Sequence, residues 1–269
     1  MRRLIVTCAV LAACHGAGNA PEPVPEAPPT LRYAADSAHY LLVSHRTGEQ
    51  EMQGQVNRQT QRTQYWLGAT LAAAEGDTLA TRFLVDSVTE SGGAFGSGDL
   101  TQVRGAEWTA RLAPNGQLLN FDGPSAAGVS SQLANLLSQF YPRIPEEGLT
   151  AGAAWVDTVT GDVDVGGVVL TITAVHHNEA VGPAEFDAVP AFLIRVVSEY
   201  TMSGQGSQSG QPLTLDGTGR RHVREYLTPT GHYLGRVAAD TSQFDVVLTA
   251  LGMSIPGRQW RYDTLKVVQ

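Results

Sequence analysis

Residues Thr78 to Glu90 (TLATRFLVDSVTE) read as a β-strand. Leu79, Phe83, Val85 and Val88 make up an apolar side, against Thr81, Asp86 and Glu90, and the run is rich in β-branched and aromatic residues. Upstream, Glu75-Gly76-Asp77 reads as a hairpin turn that returns the chain to Tyr65–Ala73 (YWLGATLAA), a second strand. Downstream, Trp108–Leu112 and Leu118–Phe121 flank Pro114-Asn115-Gly116, where asparagine and glycine tolerate positive φ. Towards the N-terminus, His39–Arg46 is a short apolar strand, and Glu51–Arg62 is polar and suits an exposed or edge strand.

The period changes between Ser125 and Tyr141. Val129, Leu133, Leu136, Leu137 and Phe140 follow helical spacing, which predicts one amphipathic helix with serine available to cap its start and Pro142 to end it. Arg143–Ala154 reads as an ordered connector. Strands then resume at 155–159, 168–175, 191–202, 219–227, 232–238, 244–251 and 259–268. This pattern predicts a mainly β, antiparallel domain: a curved sheet, an open barrel or a sandwich, with one connecting helix near 125–141.

Two segments recur in order. Phe83–Glu90 (FLVDSVTE) and Phe192–Glu199 (FLIRVVSE) share F-L-[VI]-x-x-V-[ST]-E, and Leu112–Leu119 (LAPNGQLL) and Leu227–Leu234 (LTPTGHYL) share L-x-P-x-G-x-x-L. The spacing between the segments differs by six residues, absorbed in the loops at 91–98 and 203–210. Hairpins draw on few residue types, so such matches also arise by chance. Their shared order favours a duplication that builds the domain from two related halves, about 31–124 and 151–269, with helix and connector at 125–150.

The chain has 18 basic and 26 acidic residues, for a net charge of −8. That lacks the footprint of a nucleic-acid binder, and the charge alone draws no anionic bilayer. Lys266 is the single lysine.

The N-terminus carries an address. Arg2 and Arg3 precede a short apolar run, Leu4–Ala13, the layout of a secretory signal peptide too short to span a bilayer. Leu11-Ala12-Ala13-Cys14 resembles the lipobox of bacterial lipoproteins. That resemblance implies cleavage before Cys14 and acylation of its sulfur and new amino group, anchoring the protein to a membrane through its acyl chains. Cys8 would leave with the signal, so the mature chain would hold no disulfide and no thiol nucleophile. His15–Thr30 (HGAGNAPEPVPEAPPT) reads as a semi-rigid tether. His15, where an aspartate would imply retention, is consistent with sorting to the outer membrane, facing the periplasm of the cell envelope.

In anchor, tether, strand content and single helix the chain resembles lipid-anchored β-rich carriers of the LolA/LolB and LppX type. These imply an incomplete barrel with a helix over an apolar cavity, but no binding residue maps across, and the duplication departs from them. Phe140-Tyr-Pro-Arg-Ile-Pro145 with Gly152-Ala-Ala-Trp155 is similar to a segment of uncharacterised secreted bacterial β proteins, which implies no activity.

Other constellations argue weakly for chemistry. His176 and His177, near Glu179, Glu185 and Asp187, suggest a metal, yet neighbours on a strand point to opposite faces; a polar strand end beside Gly182-Pro183 fits better. Asp162-Val-Asp164 before Gly166-Gly167 offers too few oxygens for calcium and suits a hairpin turn. Gly206-Ser-Gln-Ser-Gly210 has glutamine where a nucleophile elbow needs serine. Trp66, Trp108, Trp155 and Trp260, with Tyr65, Tyr226 and Tyr233, suit either a cavity lining or plain core. The expectation is therefore a non-enzymatic binding module for a lipid or other apolar ligand between sheet and helix, with no catalytic residue, metal or cofactor. An envelope protein that docks a partner along Glu51–Arg62 is the alternative, and a hydrolase with a scattered site ranks third.

Overall fold

The computed structural model describes residues 30–92, 103–124, 129–164, 167–208 and 210–268. Cys14, the signal and most of the tether lie outside the described residues, as do most of the 91–98 loop and residues 125–128 just before the helix. The elements run β1 (Asp36–Met52), β2 (Gln55–Ala73), β3 (Leu79–Gly92), β4 (Glu107–Leu112), β5 (Leu118–Asp122) and α1 (Val129–Ser138). There follow β6 (Ala154–Asp164), β7 (Val168–Phe186), β8 (Val189–Gln208), β9 (Gln211–Leu227), β10 (Tyr233–Leu248) and β11 (Met253–Val268).

All eleven strands form one antiparallel sheet in the order β5-β4-β3-β2-β1-β11-β10-β9-β8-β7-β6. Its edge strands, β5 and β6, do not pair with each other, so among the described residues the sheet stays open and no second sheet packs on it. The mainly β, antiparallel expectation with one short helix holds. The first and last strands meet in the middle, from His39↔Val268 to Gln50↔Gly257. The chain therefore leaves one edge after β5 and must cross the sheet to start β6 at the other. The segment containing α1 makes that crossing.

Alternation explains the burial, with one break. On β3, Thr81, Phe83 and Val85 are buried together, so Thr81 belongs to the apolar face and not opposite it. Pairing with β2 then jumps from Val85↔Leu67 to Ser87↔Trp66, leaving Asp86 as an extra residue. That bulge reverses the phase and returns Val88 to the core side, where it packs. The Asp86 carboxylate reaches the His39 ring at 3.1 Å on the other face.

Two corrections concern strand ends. Glu51–Arg62 is not a separate strand: it spans a tight hairpin at Gln53 and Gly54, both at positive φ, joining β1 to β2. Only Gln61–Ala73 of β2 pairs with β3, so residues 55–60 keep one side free of a described strand. Similarly, β7 does not end at the histidines but continues through Gly182-Pro183 to Phe186. Gly182 (φ 117) hosts a register shift there, and Pro183 lies beyond the last residue paired with β6, Glu179, where no ladder donor is needed. The turn falls instead at Asp187-Ala188 (φ 48 and 64), and Asp187 is held by Lys266 at 3.0 Å.

The two L-x-P-x-G-x-x-L turns share one hydrogen-bond pattern. Ala113 N–H donates to the Gln117 carbonyl at 2.8 Å, and Thr228 N–H to that of His232 at 2.8 Å. The following glycines, Gly116 (φ 81) and Gly231 (φ 89), donate to Ala113 at 2.9 Å and Thr228 at 3.0 Å. The strands before them differ: Phe83 pairs with Trp108, whereas Phe192 pairs with Leu227, a register four residues apart in the matched numbering.

The helix-covered side of the sheet, its inner face, carries the main core. Leu133, Leu137 and Phe140 pack on Tyr40, Leu42, Leu67, Phe83, Tyr233 and Leu265. Phe140 sits among Tyr40, Phe83, Tyr141 and Tyr233 at ring separations of 5.1, 5.0, 5.0 and 5.6 Å. The start of the described chain is tied to this layer. Leu31 and Leu149 exchange backbone hydrogen bonds at 2.9 and 3.1 Å, and the Tyr33 hydroxyl donates to the Pro142 carbonyl at 2.5 Å.

Candidate functional site: a charged row beneath the helix

Strand register sets one polar residue after another across the inner face. Asp157, His176, Ser198, Arg221, Asp240, Arg261, Arg46 and Gln61 are successive cross-strand partners from β6 to β2. In the rows nearer the aromatic core stand Ser44, Asp263, Glu225 and Arg236. Side chains aligned in this way sit within about 5 Å of their neighbours, close enough for each charge to shift the next. A charged layer is thus built directly against an apolar one.

The partners are specific. Arg46 donates from Nε and Nη2 to Gln259 Oε1 at 2.8 and 2.5 Å. Arg261 Nε lies 2.8 Å from Asp263 Oδ1 and 3.2 Å from Ser44 Oγ. Tyr200 donates to Asp240 at 2.7 Å, and Tyr233 to the buried Glu225 at 2.5 Å. Arg236 donates to the Gln139 carbonyl at the end of α1 at 2.9 Å and sits 3.9 Å from Glu225, while its own Nε is buried without a partner. Arg221 is half-buried and makes no hydrogen bond or ion pair to a described residue.

The row and its neighbours thus bring Arg46, Arg221, Arg236 and Arg261 together with Asp157, Glu225, Asp240 and Asp263, and burial acts on several of them. It depresses Arg221, as does neighbouring Arg236, and it drives Arg46 down to about 10 with help from Arg261. Burial raises Glu225 and Asp240 above the usual carboxylate range, outweighing Arg236 at the first and the Tyr200 hydrogen bond at the second. At Asp263 burial also pushes upward, but Arg261 and Arg221 overcome it and hold the carboxyl low.

An opening of about 150 Å³ separates α1 from this layer. Its lining mixes Tyr65 of β2 and Leu133 and Leu136 of α1 with Arg46, Arg221, Arg236 and Arg261 and with polar groups of both layers. A smaller space of about 80 Å³ adjoins it across Arg221, Arg236 and Gln139 and reaches His176 and Ser198. The space between sheet and helix is otherwise occupied by the aromatic core, so the expected apolar cavity is instead a small opening with mixed walls. Two larger depressions of about 800 and 820 Å³ lie towards the other strand ends, near Phe244 and Trp260.

The aromatic residues divide by face. Trp108 and Tyr233 are core, and Trp155 packs against it with its indole N–H buried and unpartnered. Tyr65 lines the opening. Trp66 and Trp260, paired with Leu41 and Thr47, lie on the outer face, where Tyr226 stacks on Phe186 at 4.3 Å.

The metal candidates disperse. His176 bonds Ser198 at 2.6 Å, His177 takes the opposite face, and Glu179 binds Arg195 at 2.8 Å. Among the described residues no three His, Cys, Asp or Glu groups converge. Ser198, His176 and Asp157 do lie in a row, but this is not the wiring of a nucleophilic triad. The serine is 2% exposed, and the Asp157 carboxylate accepts from Asn178 at 2.9 Å. Burial lowers the His176 pKa in spite of Asp157. Gly206-Ser-Gln-Ser-Gly210 sits at the β8–β9 hairpin, with Ser209 outside the described residues.

The arginine row left little trace in the sequence. Arg46, Arg221, Arg236 and Arg261 stand on four strands and share no motif, so only register unites them.

No family model matches the chain, and no curated protein matches it. Among solved structures it aligns with a domain named for outer membrane lipoprotein sorting from Vibrio parahaemolyticus, at 8% identity and TM-score 0.15, covering 85% of this chain and 83% of the other. It also aligns with a DUF1329 family protein from Desulfovibrio piger, at 10% identity and TM-score 0.14, covering 84% and 83%. Likeness at these TM-scores supports no statement about fold or function.

Proposed function

We propose that this chain is a non-enzymatic binding module of the bacterial cell envelope, held to the outer membrane through acyl chains on Cys14 and facing the periplasm. Its ligand is an amphiphile that enters the sheet's inner face beside α1. The observation that carries this reading is the opening beneath the helix, whose lining divides between the apolar Tyr65, Leu133 and Leu136 and four arginines. Such a division suits a molecule with an apolar body and a polar head; a fully apolar ligand would leave the arginines desolvated and unpaired. The buried Ser198 and the missing imidazole–carboxylate bond at His176 weigh against hydrolysis. The common turn geometry at Gly116 and Gly231 supports, for the same module, an origin by duplication.

Native mass spectrometry of the chain, purified from the envelope and exchanged out of detergent, tests the binding reading. A stoichiometric adduct of a non-covalent amphiphile is expected, and a bare mass under conditions that preserve the fold would contradict it. The anchor has its own test: Cys14→Ser is expected to move the protein from the membrane to the soluble fraction, and retention on the membrane would overturn lipidation.

One observation favours a second reading. Residues 55–60 of β2 are exposed and lack a described neighbour on the β3 side, so an envelope protein could add a strand there. Cross-linking from Val56→Cys is expected to capture a discrete partner under this reading, and a clean monomer would exclude it.

A further inference from the structure

We propose that the opening beneath α1 binds a phosphate group, held chiefly by Arg221 and Arg236. The inference deepens the binding reading above and rests on it.

The site is a built one. Arg236 is 4% exposed, lines the opening and has a buried Nε with no hydrogen-bond partner, an arrangement that costs free energy unless something occupies it. Arg221 lines the same space and has no hydrogen-bond or ion-pair partner among the described residues. Arg46 and Arg261 line it as well, with guanidinium groups that already engage Gln259 and Asp263. The chain carries a net charge of −8, yet four arginines and no carboxylate line this opening, and two nearby carboxylates, Glu225 and Asp240, are raised by burial towards their neutral form. An anion placed between Arg221 and Arg236 would offset the burial, and the neighbouring Arg236 charge, that depress Arg221.

Size and direction select the anion. About 150 Å³ holds about five water volumes, enough for one phosphate with residual water and too little for an acyl chain. The donors stand on four adjacent strands, β9, β10, β11 and β1, so they reach the space from separate side chains along the sheet instead of presenting a single fork. A tetrahedral anion with several oxygens satisfies donors from several directions, whereas a planar carboxylate offers two oxygens in one plane. Tyr65, Leu133 and Leu136 line the same opening and offer apolar contact to a body attached to such a phosphate.

Phosphate could come free or on a lipid, and the test separates the two. The purified chain is titrated with inorganic phosphate and with dihexanoyl phosphatidic acid at constant ionic strength in chloride, reading melting temperature and calorimetric affinity, with monoolein as an uncharged amphiphile. Saturable binding of inorganic phosphate with a rise of a few degrees is expected, because a ligand that binds only the folded state stabilises it. Arg221→Gln should weaken it at least tenfold and Arg221→Lys less, while Arg195→Gln, on the outer face, leaves it unchanged. Arg221 has no hydrogen-bond or ion-pair partner among the described residues to lose, so its variants are expected to fold even if Arg236 variants do not. Tenfold tighter binding of the phosphatidic acid assigns the site to a lipid headgroup, and equal affinity assigns it to free phosphate. If both phosphates are silent while monoolein binds, this inference fails and the amphiphile reading stands. If all three are silent, both fail. Phosphate binding unaffected by Arg221→Gln would also overturn the assignment.

Discussion

At the scale of single residues, two glycines and one carboxylate carry sharp consequences. A Cβ on Gly231 would lie 1.8 Å from the Arg32 carbonyl oxygen, and one on Gly116 would lie 2.1 Å from that of Pro142, both at positive φ. These turns pack against the start of the domain and the connector after α1, so neither neighbour is free to retreat. Gly231→Ala is expected to cost about 2 kcal/mol or more, whereas Gly76→Ala, with nothing within 4 Å, should cost only the backbone strain. Denaturant unfolding of the two variants side by side checks this ranking.

Asp263 supplies a pH dependence. Its folded carboxyl is held low, so folding favours the ionised form. That contribution is present above the unfolded value of about 4 and disappears as pH falls through the lower folded value. Glu225 and Asp240 act oppositely: their raised values make their contribution greatest in acid and reduce it as pH rises through them. Asp263→Asn should therefore destabilise by about 3 kcal/mol at pH 7, as expected for breaking a buried pair, with the gap to wild type narrowing towards pH 3. A gap that stays constant with pH would show that the Asp263 charge plays no part.

At the scale of elements, the strands and the helix could be read from their periods, because apolar alternation and helical spacing report directly which side is buried. Thr78–Glu90 shows where that reading stops. Its apolar residues slip phase between Val85 and Val88, and only the partner strand reveals that Asp86 is bulged out. The β7–β8 turn was hidden for a related reason. Gly182-Pro183 carries the usual turn residues but occupies a strand irregularity, while Asp187-Ala188 makes the turn with an alanine at positive φ. For α1, the periodic leucines identified the right surface. Leu137 is fully buried against the sheet, so Leu137→Ala should cost about 3 kcal/mol, while Val56→Ala, 63% exposed, should stay within about 0.5 kcal/mol. Thermal melts of both variants test whether the helix is an integral layer or a loosely held strap.

At the scale of the whole molecule, closing the chain at its centre produces the site. Because β1 pairs with β11, strands from both ends of the sequence bring Arg46 and Arg261 side by side. Because β5 and β6 end at opposite edges, the connecting helix must lie across them. The candidate site is therefore a product of topology, and composition would have argued against it, since an acidic chain with scattered arginines shows no cationic feature in sequence. Only Tyr65 among the aromatic candidates reaches the opening. The expectation of an apolar cavity failed because Phe140 and its neighbouring rings fill that space.

The most direct test is whether a ligand occupies the opening beneath α1. Titrating the protein with 1-anilinonaphthalene-8-sulfonate, whose sulfonate would enter the opening while its rings rest at the mouth, reads this through its emission. Wild type is expected to show a saturable, one-to-one rise. Leu136→Trp, which enlarges a side chain lining the opening, should abolish that rise while leaving the melting temperature close to wild type. Unchanged binding in the folded Leu136→Trp variant would place the ligand elsewhere and contradict the account.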